Sequence, residues 1–143
     1  MRDNKWLQDK LDLIWVRFFS DVPRKNQVKA RFVGNWKNKF GHIKEVKEKN
    51  TEIVVNGFFK REDIIPEWII YLTLAHELVH YSHGFHSPLP RLYRQPHQGG
   101  IVTRELKKRG FGELLKREKE WIKRDWEEIV KKEFTKKRRA TWF

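Results

Sequence analysis

Apolar positions change their spacing several times along the chain. From Asn4 to Ser20, Trp6, Leu7, Leu11, Ile14, Trp15 and Phe18 recur at helical spacing. This predicts an amphipathic helix ended by Asp21-Val22-Pro23, because the residue before a proline disfavours helical backbone. From Gln27 to Phe59 the spacing falls to two. Val28, Ala30 and Phe32 alternate with Lys29 and Arg31, as in a half-buried strand. Gly34-Asn35 and Gly41 punctuate. A second, weaker strand is expected over Phe40 to Lys47, a turn at Lys49-Asn50, and a third strand over Glu52 to Asn56 carrying Ile53-Val54-Val55. The three read as a small antiparallel sheet. Pro66 stands where a helix would begin, at a position where its missing N–H costs nothing. Trp68, Ile69, Leu72, Ala75, Leu78 and Val79 follow on it as far as about Tyr81, making this the most hydrophobic helix and a central one. Gly84 to Pro96, with three prolines, reads as a loop. Gly99 to Arg109 reads as a shorter helix stopped by Gly110. Gly112 to Arg139 reads as a long one, with Leu115, Trp121, Ile122, Trp126, Ile129, Val130 and Phe134 on one face and Lys, Arg and Glu on the other.

The expected architecture is α+β: a small antiparallel three-stranded sheet packed on helices, with a long C-terminal helix. The 143 residues fit one domain, with a core over about 4–111 and a basic helix over about 112–139. Hydrophobic residues make up 38%, a lean core in which 7 Trp and 10 Phe do much of the filling. The absence of Cys removes disulfides, a thiolate nucleophile and every cysteine-ligated zinc site, so any metal is held by His and carboxylates. The net charge of +13 favours a polyanionic partner, with nucleic acid the commonest of that kind. Charged residues at 36%, many of them Lys and Glu, with one Met, fit a heat-adapted (thermophile) source. No run of 18 apolar residues and no signal peptide is visible, so the expected location is cytoplasmic (intracellular), with nucleoid association as an option, and with no membrane partner.

The chemistry is carried by His76-Glu77-Leu78-Val79-His80. Histidines four residues apart on a helix lie on one face, one turn apart, within reach of a single ion. Neutral imidazole suits one tetrahedral Zn2+. Glu77 lies beside that face and can reach a water on the metal as its general base. Five of the six histidines fall between His76 and His97. A hydrolytic zinc site uses three protein ligands and an open fourth position. His97, which follows the loop and opens the next helix, ranks first as the third ligand. His86 comes next, at the spacing of an extended metzincin motif that Gly84 meets one residue late and no downstream Met supports. Glu105 is third, in the manner of a thermolysin-like Glu on a following helix.

These residues resemble a SprT-like (Spartan-type) metallopeptidase domain, one of the zincins, over roughly Leu11 to Phe111. The order is an N-terminal helix, a sheet ending in a strand such as Thr51-Glu52-Ile53-Val54-Val55-Asn56, an approach over Glu62 to Pro66, then Leu74-Ala75-His76-Glu77-Leu78-Val79-His80, and finally His97-Gln98-Gly99-Gly100 opening a helix. The resemblance implies a zincin-like fold, a His at the start of that helix as third ligand, and proteolysis of DNA-bound or DNA-crosslinked proteins switched on by DNA. The chain departs from the family in lacking the zinc ribbon that often follows, as zero Cys requires, and in the extra His and Pro of Tyr81 to Pro96.

The tetrahedral intermediate of peptide hydrolysis needs a cationic or hydroxyl partner, for which Tyr93 and Arg94 are candidates. An edge strand over Phe40 to Lys47 could hold substrate backbone by strand addition. Trp36 beside Lys37 and Lys39 offers a stacking platform for single-stranded DNA, the favoured form. Lys131, Lys132, Lys136, Lys137, Arg138 and Arg139 offer phosphate contacts. Two other readings share these residues: a minimal zincin peptidase unrelated to DNA, and a non-enzymatic nucleic-acid-binding protein with a structural zinc.

Overall fold

The computed structural model of the chain describes residues 1–134. Helix α1 spans Asn4–Phe18, and its first turn is capped by the Asp3 carboxylate, which accepts from the Trp6 N–H at 2.8 Å. It ends before the expected Ser20, where the Phe19 N–H bonds to the Trp15 carbonyl. The chain then turns so that Phe19, not Phe18, enters the core. Phe18 is 41% exposed and Phe19 is fully buried. Leu7, Leu11, Ile14 and Trp15 are buried as their spacing requires.

The sheet has strands β1 (Val28–Val33), β2 (Gly41–Val46) and β3 (Asn50–Asn56) in the order β1-β3-β2. β2 and β3 pair antiparallel, but β1 and β3 pair parallel, so the sheet is mixed and the expectation of an all-antiparallel sheet is corrected. The reason lies in β3. It alone carries three consecutive apolar residues, Ile53-Val54-Val55, all buried, and such a strand belongs at the centre of a sheet. The segment from Gly34 to Phe40 therefore crosses from one edge to the other instead of forming a hairpin.

Asn56 fixes that crossover. Its buried side chain accepts from the Trp36 and Phe58 N–H groups and donates to the Trp36 and Lys39 carbonyls. The outer edge of β1 is closed by α1: Asn4 accepts from the Phe32 N–H, and Gln8 accepts from Ala30 and donates to the Val28 carbonyl. Among the described residues no such bonds cover the outer edge of β2. On one face of the sheet Val28, Ala30, Phe32, Ile43, Ile53 and Val55 join the core, while Arg31 and Lys44 pair with Glu52 on the other.

Helix α2 (Glu67–Ser82) packs against that inner face and α1, with Pro66 one residue before its first turn. It is buried on nearly every side, as a central helix should be. Helix α3 (Ile101–Lys108) stops where Gly110, at φ 96°, lets the Gly110 and Phe111 N–H groups bond back to the Lys107 and Leu106 carbonyls. Helix α4 (Gly112–Trp121) continues through wider π-type turns at Ile122–Trp126 and Val130–Phe134. Ile122, Trp126, Val130 and Phe134 are four residues apart, a step that overshoots one α-helical turn by about 40°. The wider turns absorb the overshoot and keep all four on the protein side, where Trp126 meets Phe40, Phe58 and Phe59. No helix among the described residues is long and apolar enough to cross a membrane.

Candidate metal centre

His76 and His80 project from α2 one turn apart, and their Nε2 atoms face each other at 3.2 Å. The loop after α2 brings His97 back to them, with Nε2 3.3 Å from that of His76. The three ring nitrogens all lie within 4.8 Å of one another, close enough to share one metal ion. Two nitrogens bound at about 2.0–2.1 Å to one tetrahedral ion lie about 3.3 Å apart, which matches both short separations. Protonation supports the fit. Burial and the neighbouring histidines pull His76 down to about 4 and His80 to about 3, so both rings are neutral at neutral pH, the form that ligates. His97 owes its place to local backbone. The Gln98 side chain accepts from the Arg94 and Gln95 N–H groups, and Gly99 and Gly100, at φ 56° and 71°, turn the chain into α3.

Glu77 places its carboxylate in the gap between α2 and the start of β2, in a cavity it lines together with His76. It is buried, and burial pushes its carboxyl up to about 8 against the opposing pull of Lys39. Gly41 stands beside it, held to glycine by the Val54 carbonyl and Thr73 rather than by Glu77 itself. A Cβ there would stand 2.7 Å from the Val54 carbonyl, 2.8 Å from Thr73 Cγ2 and 3.7 Å from Glu77 Oε2. Glu77 and His76 line a cavity of about 240 Å³ whose far wall is Leu115, Glu118 and Ile122 of the C-terminal helix. A larger, open cleft of about 840 Å³ continues from it past His76 and His97 along α3 and α4.

The chain matches no family model, no curated protein and no solved structure. The site therefore rests on its own geometry. Of the alternative third ligands, neither joins the cluster. His86 is exposed, and its backbone carbonyl accepts from Thr51. Glu105 pairs with Arg109 at 2.8 Å and lies 3.8 Å from the buried His83, in a network that anchors α3 to Asp21. Tyr93 packs edge-on against His83, and Arg94 is exposed, with its N–H on Gln98. Trp36 is half-buried with the Lys39 ammonium 4.6 Å from its ring centre. Lys37 and Lys131 flank one groove of about 610 Å³ between the crossover and the C-terminal helix, where the Trp126 indole N–H bonds to the Lys37 carbonyl. Lys132 is exposed, and Lys136, Lys137, Arg138 and Arg139 lie outside the described residues. Sequence reasoning missed Glu118. Its signal was a carboxylate in the apolar register of the helix, between Leu115 and Ile122.

Proposed function

We propose that the protein is a zinc-dependent endopeptidase acting on DNA-bound or DNA-crosslinked proteins. The observation that carries this reading is the convergence of three imidazole nitrogens at the spacing of one tetrahedral ion, beside a buried carboxylate. His76, His80 and His97 hold the metal. When bound, zinc supplies a polarising positive charge for the scissile carbonyl and for the attacking water. Glu77 takes the proton of that water and passes it to the leaving amine. Its acidity in the metal-free chain is depressed by burial alone, and a neighbouring dication favours the ionised form that a base requires. Substrate backbone adds to β2, the edge that α1 does not close, and so runs beside Gly41 and Glu77.

The DNA part of the reading is supported by the +13 charge and by the groove that Lys37 and Lys131 share. Single-stranded DNA is favoured on the reading of Trp36 as a stacking aromatic, for which the Lys39 ammonium now lying over its ring swings out to a phosphate. The test is cleavage of a basic DNA-binding protein by zinc-loaded protein, with and without single-stranded DNA. Cleavage is expected to rise with DNA and to fall by about a hundredfold or more in Glu77→Gln. Turnover that survives Glu77→Gln refutes the mechanism. Glu77-dependent cleavage indifferent to DNA leaves a zinc peptidase with no link to nucleic acid.

A further inference from the structure

Glu118 stands in the wall of the cavity that holds Glu77, on a helix with abundant cations of its own. None of them reaches it. Arg117 lies over the Trp68 ring, and Lys116 and Lys119, which line the outer cleft together with Glu118, make no ion pair with it. Among the described residues Glu118 has neither an ion pair nor a side-chain hydrogen bond, and the walls around it are mostly apolar, Phe40, Leu72, Leu106, Leu115 and Ile122, with Thr73, His76 and Glu77 the polar members. Withdrawal from water without a partner pushes its carboxyl up to about 7. Such an arrangement is unfavourable for the chain alone and is relieved by a cation brought in from outside.

We infer that this cavity receives a Lys or Arg side chain of the substrate next to the scissile bond, with Glu118 as the specificity-determining residue that binds its charged head. The inference rests on the peptidase reading and deepens it. The apolar walls match the methylene stem of such a side chain, and Glu118, the carboxylate across the cavity from Glu77, matches its end. The cavity, at about 240 Å³, opens between His76 and Glu77 on one side and Glu118 on the other, so an extended substrate on β2 would drop one side chain into it while its backbone passes the imidazoles. A basic side chain at that position also fits substrates that themselves bind DNA.

The inference is tested by binding and by cleavage. In the Glu77→Gln protein, fluorescence polarisation compares a peptide carrying one lysine with the same peptide carrying norleucine, which keeps the stem and loses the charge. The lysine is scanned through positions on both sides of the bond. At one position the lysine peptide should bind about tenfold tighter, and the difference should vanish in Glu77→Gln with Glu118→Gln. With Glu77 restored and zinc bound, kcat/KM should prefer the lysine peptide. Glu118→Gln should remove the preference, and Glu118→Lys should reverse it toward a glutamate peptide. Equal preference in wild type, Glu118→Gln and Glu118→Lys, with Glu77-dependent cleavage intact, overturns the pocket and leaves the peptidase standing. Absence of any Glu77-dependent cleavage, together with equal binding of both peptides, overturns both.

Discussion

Replacing Asn56 with alanine removes four hydrogen bonds at once: two that the side chain accepts, from the Trp36 and Phe58 N–H groups, and two that it donates, to the Trp36 and Lys39 carbonyls. Each intramolecular bond contributes about 1 kcal/mol net, and a partner left buried costs more. Trp36 and Lys39 are accessible enough for water to recover part of the loss, whereas Phe58 is buried. The expected destabilisation is about 3 kcal/mol, which for a chain of this size lowers Tm by roughly 10 °C. Urea unfolding and calorimetry measure it. Asn56→Asp is the control. It keeps the acceptor for Trp36 and Phe58 but turns a carboxylate oxygen toward two carbonyls, so it should be no more stable than the alanine variant. On the proposed reading, peptidase activity should fall further than the folded fraction does, because the same bonds hold Lys39 to Gly41 against Glu77. A cost below about 1 kcal/mol would show that the crossover does not depend on Asn56 and would refute the account of the mixed sheet given above.

The ligand set is checked by zinc titration against a competing chelator. His76→Ala, His80→Ala and His97→Ala should each weaken binding by more than about a hundredfold, since even supporting groups around a metal are worth ten- to a hundredfold. His86→Ala and Glu105→Gln should leave it unchanged, and equal losses in His86→Ala and His97→Ala would contradict the cluster. His76, His80, Glu77 and Glu118 together should give the metal-free protein a stability plateau between about pH 4.5 and 6.5, tilted upward with pH by His42 and His83, which burial also lowers. His76 and His80 are depressed from 6.5 to about 4 and about 3, so the unfolded chain binds their protons first and stability falls as pH drops toward 3. Glu77 and Glu118 are raised from 4.5 to about 8 and about 7, so the folded chain keeps their protons longer and stability falls as pH rises toward 8. Between the two ranges the pairs offset. A urea midpoint that keeps rising from pH 6.5 to 8 would contradict this.

The parts legible in the sequence are those decided by local spacing. The apolar period of α2 gave its position, its burial and the pairing of His76 with His80 in one stroke. The alternation in β1 likewise matches its alternating burial. Partner choice in the sheet was not legible, because periodicity says which face a residue takes and nothing about which strand lies next to it. The clue available was the unbroken Ile53-Val54-Val55, which marks a central strand. Phe18 and Phe19 were indistinguishable by type, and only the end of α1 decides which one is buried. His97 could be ranked but not placed, since the path of the loop depends on Gln98 and on two glycines at positive φ. Glu118 looked like one more charge on a charged helix until the packing of α4 placed it in the wall of the cavity that Glu77 lines.

The imidazoles come from two sources of unequal rigidity: a buried helix gives two, and the far end of a proline-bearing loop gives the third. A bound ion would thus act as a removable crosslink between His80 and His97. Like a disulfide, it would hold closed a stretch of chain that the metal-free protein must otherwise keep folded by its own contacts. Affinity for the ion and order in the loop are then the same free energy seen from two ends. Changes among residues 84–96 that touch no ligand should shift metal affinity, with Pro88, Pro90 and Pro96 already lowering the entropy of the open form. Since Arg94 and Gln95 are bonded to Gln98 beside His97, whatever grips that loop from outside would also tune how firmly an ion is held there.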